Sequence, residues 1–181
     1  GILYVRDGTP IAPLQTGGGQ ERHRRAGTEN VAGAVGLATA LRRAADDRAA
    51  VAPRLTALRD RLIDGLTADP AIRLTGHPTQ RMPNHVSVCV ADVRADVLLL
   101  GLDLHGICAS SGSACSSGKV EPSHVLSAMG VPAARAAGAL RLSLGRQTSD
   151  ADVDHVLAVL PRLVAELRAV GAVPGGDRAA G

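Results

Sequence analysis

One thiol is placed where it could react. Cys115 lies in Ala109-Ser110-Ser111-Gly112-Ser113-Ala114-Cys115-Ser116-Ser117-Gly118-Lys119, a run of small residues with no bulky apolar neighbour to bury it. Such a loop flexes and exposes its centre, and backbone N–H groups with the Lys119 charge favour the thiolate, the nucleophilic form. The plain alternative is a loop that merely contains a cysteine. Cys89 and Cys108 fall inside apolar, strand-like runs, where a thiol behaves as a small hydrophobe. Arg141 interrupts the apolar pattern Leu140-Arg141-Leu142-Ser143-Leu144. An arginine there is either an edge residue facing water or a planar fork for a carboxylate. A Gly-rich basic stretch, Gly17 to Thr28, could hold an anion because its glycines free backbone N–H groups and a helix start follows. It lacks the Gly-Lys-Ser/Thr ending of a nucleotide loop, and its basic residues could equally form a solvated face. His124, close in sequence to Cys115, reads as a surface or capping residue before a catalytic one.

The elements that must position these groups alternate irregularly. Ile2-Leu3-Tyr4-Val5 reads as a strand closed by the turn Asp7-Gly8-Thr9-Pro10. Val31, Val35, Ala38 and Leu41 recur at helical spacing, with Thr28 or Asn30 as the cap. A second helix runs from about Pro53 to Leu66 with Leu55, Leu58, Leu62 and Leu66 on one face, and the polar link Asp46-Asp47-Arg48 marks a domain boundary. Beyond Pro70 the pattern predicts strands at Ile72–Gly76 and Val86–Val90, then a helix from Ala95 to His105 stopped by Gly106. A short strand Ile107-Cys108-Ala109, the cysteine loop, a short helix between Pro122 and Gly130, and a strand Leu140–Leu144 follow. A last helix begins at Ser149, with Pro161 predicted to kink it, and the Gly/Pro/Ala tail reads as disordered. Together these predict a mixed α/β layer.

Composition narrows the function classes. The chain has 181 residues, 45% hydrophobic and 20% charged, an ordinary soluble globular balance. Its aromatic content is 1%, Tyr4 alone, which argues against base stacking on single-stranded nucleic acid. A net charge of +3, with basic and acidic residues interspersed, does not suggest a polyanion binder. No run of apolar residues is long enough to span a membrane. Three cysteines without Cys-x-x-Cys spacing point to thiols in a reducing compartment, hence the cytoplasm, and not to a zinc site.

Several stretches, taken in order, resemble the C-terminal part of a cysteine desulfurase of the NifS/IscS type, within the class V aminotransferases. They are Gly1-Ile2-Leu3-Tyr4-Val5-Arg6, Gly17-Gly18-Gly19-Gln20-Glu21, Arg25-Ala26-Gly27-Thr28-Glu29-Asn30, Met82-Pro83-Asn84, Ser110-Ser111-Gly112-Ser113-Ala114-Cys115, Glu121-Pro122-Ser123-His124-Val125-Leu126 and Arg141-Leu142-Ser143-Leu144-Gly145-Arg146. The resemblance implies an aspartate-aminotransferase-like α/β fold (pyridoxal-phosphate fold type I). Residues 1–48 would be a remnant of the large cofactor domain, 49–168 the small C-terminal domain with the cysteine loop, and 169–181 a tail. It implies a homodimer that uses pyridoxal 5′-phosphate and L-cysteine. Cys115 would be the nucleophile that takes the substrate sulfur as a persulfide, leaving alanine, and passes it to an acceptor protein such as an iron–sulfur scaffold. Arg141 would pair with the substrate carboxylate, and Thr28 would reach the cofactor phosphate of the other subunit.

In the family the lysine that binds the cofactor stands just before the position of Gly1, in a Ser-x-His-Lys stretch, and Lys119 does not occupy that position. Further residues are therefore expected upstream, and the chain alone is expected to lack covalent cofactor and turnover. A selenocysteine lyase or other class V relative, and a cofactor-free sulfur-relay or interaction module, are the alternatives. A transaminase needs no loop cysteine.

Overall fold

A computed structural model describes residues 1–111 and 123–171. The chain divides into two compact units, Gly1–Ala49 and Ala50–Gly181.

In the first unit the predicted strand at Ile2–Val5 does not form. Ile2, Leu3 and Tyr4 are exposed, and no strand among the described residues pairs with them, so the backbone has no ladder to join. A single turn α1 (Gln20–His23) follows the glycines, with Glu21, Arg22 and His23 at φ of 51°, 58° and 62°. Helix α2 (Val31–Thr67) starts at Asn30, whose Oδ1 accepts the Gly33 N–H at 2.8 Å, so Asn30 and not Thr28 is the cap. The expected break at Asp46-Asp47-Arg48 is absent, and α2 runs on through it. The segment Arg42 to Ala52 is rich in alanine and arginine, both strong helix formers, so the polar link is helical, and the division into two units falls just after it, between Ala49 and Ala50. Pro53 also lies inside α2, at the position expected to open a separate helix.

In the second unit the stripe Leu55, Leu58, Leu62 and Leu66 is buried as expected, joined by Arg59 and Ile63. Strands β1 (Ile72–Leu74), β2 (His85–Val90) and β3 (Ala139–Ser143) form an antiparallel sheet in that order. Period-two alternation sorts their side chains. Val86, Val88, Val90, Leu140 and Leu142 enter the main core with Leu66, Leu98, Leu102, Leu160 and Val164. The opposite face carries Cys89 and Ala139, which pack with Leu126 and Ala136, and then His85, Ser87, Arg141 and Ser143. Helix α3 (Ala95–Leu104) ends before Gly106, whose φ of 72° is the expected left-handed stop. Two short helices, α4 (His124–Ala128) and α5 (Ala133–Ala136), sit by Cys89, the second unanticipated from the sequence.

Helix α6 (Asp150–Gly171) opens on a capping box: Asp152 Oδ2 accepts the Ser149 N–H at 2.8 Å, and the Asp152 N–H reaches Ser149 Oγ at 3.3 Å. It includes residues 169–171, which the sequence reading put in the tail; residues 172–181 lie outside the described residues. Glycines let α6 approach its neighbours: a Cβ on Gly101 of α3 would meet Leu163 at 2.7 Å, and one on Gly65 of α2 would meet Leu157 at 2.5 Å. Arg54 of α2 ties down the link from β3 to α6, its Nη1 donating to the Thr148 carbonyl and its Nη2 to the Arg146 carbonyl, both at 2.6 Å.

The predicted strand Ile107-Cys108-Ala109 does not form, and the chain makes one isolated bridge at the next residue, between Ser110 and Arg141. The Ile107 N–H is taken by the Leu102 carbonyl at 3.0 Å as α3 terminates, so the chain reaches the edge of β3 only at Ser110.

Candidate functional site

Arg141 occupies the polar face of a strand whose other face is core. Its neighbours Leu140 and Leu142 are buried while Arg141 itself is exposed, so alternation alone directs the guanidinium out of the core. Ser87 stands directly opposite on β2, and the pair His85–Ser143 lies one step along the same face. On the far side of Ser87, its Oγ meets Thr75 Oγ1 at 2.6 Å.

Ser110 closes on Arg141 from the other edge. The Arg141 N–H donates to the Ser110 carbonyl at 2.7 Å, and the Ser110 N–H to the Arg141 carbonyl at 3.1 Å. Arg141 Nε then donates to Ser110 Oγ at 3.1 Å. Among the described residues no hydrogen-bond acceptor is shown for Nη1 or Nη2, the atoms that make a fork for a carboxylate. Arg141 is therefore exposed, as the edge-facing reading expects, and its side chain is oriented by Ser110.

Two further groups frame this face. His85 is half-buried, and its pKa is held below the ordinary histidine value, first by burial and then by the positive charges of Arg141 and Arg81. Arg81 braces the turn before β2, donating to the carbonyls of His77 at 2.9 Å and Thr75 at 2.8 Å. Burial is the main cause that lowers its own pKa, with Arg59 nearby adding to it. Arg59, a buried arginine on the leucine face of α2, pairs with Asp60 at 2.6 Å and donates Nη1 to the Met82 carbonyl at 3.0 Å. Asn84 continues the clasp, exchanging bonds with the Leu144 N–H at 2.9 Å and the Leu144 carbonyl at 3.2 Å. Met82-Pro83-Asn84 is thus held from both sides.

The thiols separate. Cys89 is fully buried, and burial pushes its pKa up against a weaker opposing pull from Arg135. Its reading as a small hydrophobe holds. Cys108, expected in an apolar strand, is exposed, because that strand does not form; it lies at the rim of a cavity of about 90 Å³ with Leu62, Leu142, Thr148 and Asp152. Cys115 and Lys119 lie outside the described residues. His124 is the exposed first residue of α4.

Thr28 lies in the first unit and is exposed. Arg25 shapes the turn that carries it, donating Nη1 to the carbonyls of Gly27 at 2.8 Å and Thr28 at 3.1 Å, while Nη2 pairs with Glu21 at 3.2 Å. One of the basic residues of the Gly17–Thr28 stretch is therefore turned onto its own loop. A hydroxyl and adjacent backbone amides have the chemistry of a phosphate contact.

Sequence reasoning missed His85, Ser87 and Ser110 as neighbours of Arg141. The alternation of His85-Val86-Ser87-Val88 put the first two on one face, but only the register of β2 against β3 sets them beside Arg141.

Comparison with known proteins agrees with this architecture. The cysteine desulfurase IscS of Methanosarcina thermophila is 52% identical over 168 residues, covering 93% of this chain and 42% of that protein. A cysteine desulfurase of Trichormus azollae is 47% identical over 171 residues, 94% of this chain and 43% of its own length. A solved NifS-like protein superposes with a TM-score of 0.78 at 35% identity, over 91% of this chain and 42% of that one. The chain thus spans less than half the length of the curated relatives it matches. The aspartate-aminotransferase-like α/β class expected from the sequence is the fold of these relatives. The aminotransferase class-V family model matches residues 1–156, and the chain belongs to that family.

Proposed function

We propose that this chain is the C-terminal portion of a cysteine desulfurase, in which Arg141 holds the carboxylate of L-cysteine and Cys115 accepts its sulfur. The observation that carries the reading is Arg141: an exposed, oriented guanidinium on a strand that is otherwise core on one side. The names of the similar proteins favour this reading over a selenocysteine lyase or a cofactor-free relay module.

The chemistry balances without an outside oxidant. The Cys115 thiolate attacks the substrate sulfur; an S–S bond forms and the carbon–sulfur bond breaks. The carbon keeps the electron pair and takes a proton, giving alanine, while the Cys115 thiol is oxidised to a persulfide. Pyridoxal phosphate, when bound, supplies the electron sink for the charge released on the amino acid. Of this chain's described residues, Thr28 is suited to contact the phosphate of a cofactor held by the other subunit of a dimer, and Arg141 fixes the substrate so that its sulfur meets the thiol.

Finer assignments follow the same reading. Residues 1–48 belong to the cofactor domain and 49–168 to the small domain, a division supported by the two compact units. The protein works as a homodimer, supported by the exposed apolar stripe Val31, Val35 and Leu41. It acts in the cytoplasm and hands its sulfur to an acceptor protein such as an iron–sulfur scaffold. Free thiols at Cys89 and Cys108 suit a reducing compartment, and among the described residues no helix is long and apolar enough to cross a membrane.

The test is Arg141→Gln in the complete cofactor-loaded protein. Loss of the fork should raise the KM for L-cysteine by about a hundredfold, the size of a lost charge-assisted pair. An unchanged KM would remove Arg141 from substrate binding.

A further inference from the structure

We infer that Ser110 is the positioning residue for carboxylate recognition: it fixes the plane of the Arg141 guanidinium so that the Nη pair is presented to the substrate. This rests on the reading of Arg141 as the carboxylate fork.

An exposed arginine is a poor fork when left to itself. Its long side chain has many rotamers, and holding one of them costs conformational entropy at each binding event. A single bond to Nε removes much of that freedom, because Nε lies in the guanidinium plane and next to the last flexible torsion. The bond from Nε to Ser110 Oγ at 3.1 Å is of this kind. Nε is also the donor that an Nη1–Nη2 fork does not use, so positioning and recognition do not compete for the same proton.

Ser110 is itself fixed by backbone. The reciprocal N–H to carbonyl bonds at 2.7 Å and 3.1 Å join it to Arg141, so the anchoring oxygen moves with the strand that carries the arginine. Preorganisation of this type strengthens binding by reducing its ordering cost.

The experiment uses the complete, pyridoxal-phosphate-loaded protein with Ser110→Ala, Ser110→Thr and Arg141→Gln. Ser110→Ala keeps the backbone pair and removes only the acceptor. Its KM for L-cysteine should rise about five- to tenfold with kcat changed less than about twofold, and Ser110→Thr, which keeps the hydroxyl, should restore the KM. A second readout is independent of turnover: the Kd for L-alanine, which carries the same carboxylate and no thiol, should rise by the same factor in titration calorimetry. If Ser110→Ala leaves both constants within about twofold of the parent while Arg141→Gln raises both, the positioning role is wrong and the fork stands. A fall in kcat at unchanged KM, or failure of threonine to rescue, also overturns it. If Arg141→Gln leaves both constants unchanged, the carboxylate reading itself fails.

Discussion

His85 and Arg141 share one face of the sheet on adjacent strands, one step apart across the ladder that pairs Ser87 with Arg141 and His85 with Ser143. Burial and the two nearby arginines, Arg141 and Arg81, hold the His85 pKa down. A histidine depressed in the folded state contributes stability that is intact above its ordinary value of about 6.5 and is lost as the pH falls below it. Arg141→Gln removes one of the three causes. The His85 pKa should then rise partway towards the ordinary value, read by ring-proton NMR titration. No movement would mean that the two side chains do not sense each other.

The glycines offer a contrast between steric and conformational cost. A Cβ on Gly138 would overlap the Val90 carbonyl oxygen and stand 2.7 Å from that of Val93, backbone atoms that cannot turn aside. The Val90 N–H also donates to the Gly138 carbonyl at 2.9 Å, so the two segments cannot separate cheaply. Gly138→Ala should cost about 3 kcal/mol or more in chemical denaturation. Gly106 has open space around its Cβ position, and its φ of 72° alone penalises alanine. Gly106→Ala should cost only about 1 kcal/mol. Equal costs would contradict the tight approach at Gly138.

The thiols should differ in reactivity. Cys108 is exposed and should be alkylated in the folded protein, whereas Cys89 should react only after unfolding. Because burial raises the Cys89 pKa, its stabilising contribution is present below the ordinary thiol value of about 8.5 and is lost as the pH climbs past it. Peptide mapping after timed alkylation distinguishes the two sites. Early labelling of Cys89 would show that its cluster with Leu126, Ala136 and Ala139 opens readily.

Arg59 tests the clasp on Met82. Its guanidinium is buried, and Arg59→Ala leaves the Met82 carbonyl without that donor and opens space on the leucine face. We expect a loss of about 2 kcal/mol in urea unfolding, combining a lost hydrogen bond with lost packing of the side-chain stem. A change below about 0.5 kcal/mol, the range of ordinary surface substitutions, would place Arg59 outside the core.

How much of this was legible in the sequence depends on whether the cause was local. The leucine stripe of α2, the alternation of β2 and the stop at Gly106 are written in spacings of a few residues, and all are found. The helix break expected at Asp46-Asp47-Arg48 was a reading of polarity, but a short polar stretch does not end a helix when the residues flanking it are good helix formers. Ile2–Val5 has the composition of a strand and no partner among the described residues, since pairing is a property of two segments. The site was half legible for the same reason. Arg141 stood out as a charge in an apolar strand, whereas Ser110 is 31 residues away and becomes its neighbour only through the bridge at the sheet edge.

The central claim is that sulfur passes from L-cysteine to Cys115. The most direct measurement is the mass of the Cys115-bearing peptide after brief exposure of the complete, cofactor-loaded protein to L-cysteine, followed by alkylation under non-reducing conditions. The account predicts one added sulfur atom on that peptide, removable by a thiol reductant, and its loss together with alanine formation in Cys115→Ser. An unmodified Cys115 peptide with alanine still forming, or undiminished turnover in Cys115→Ser, would contradict it.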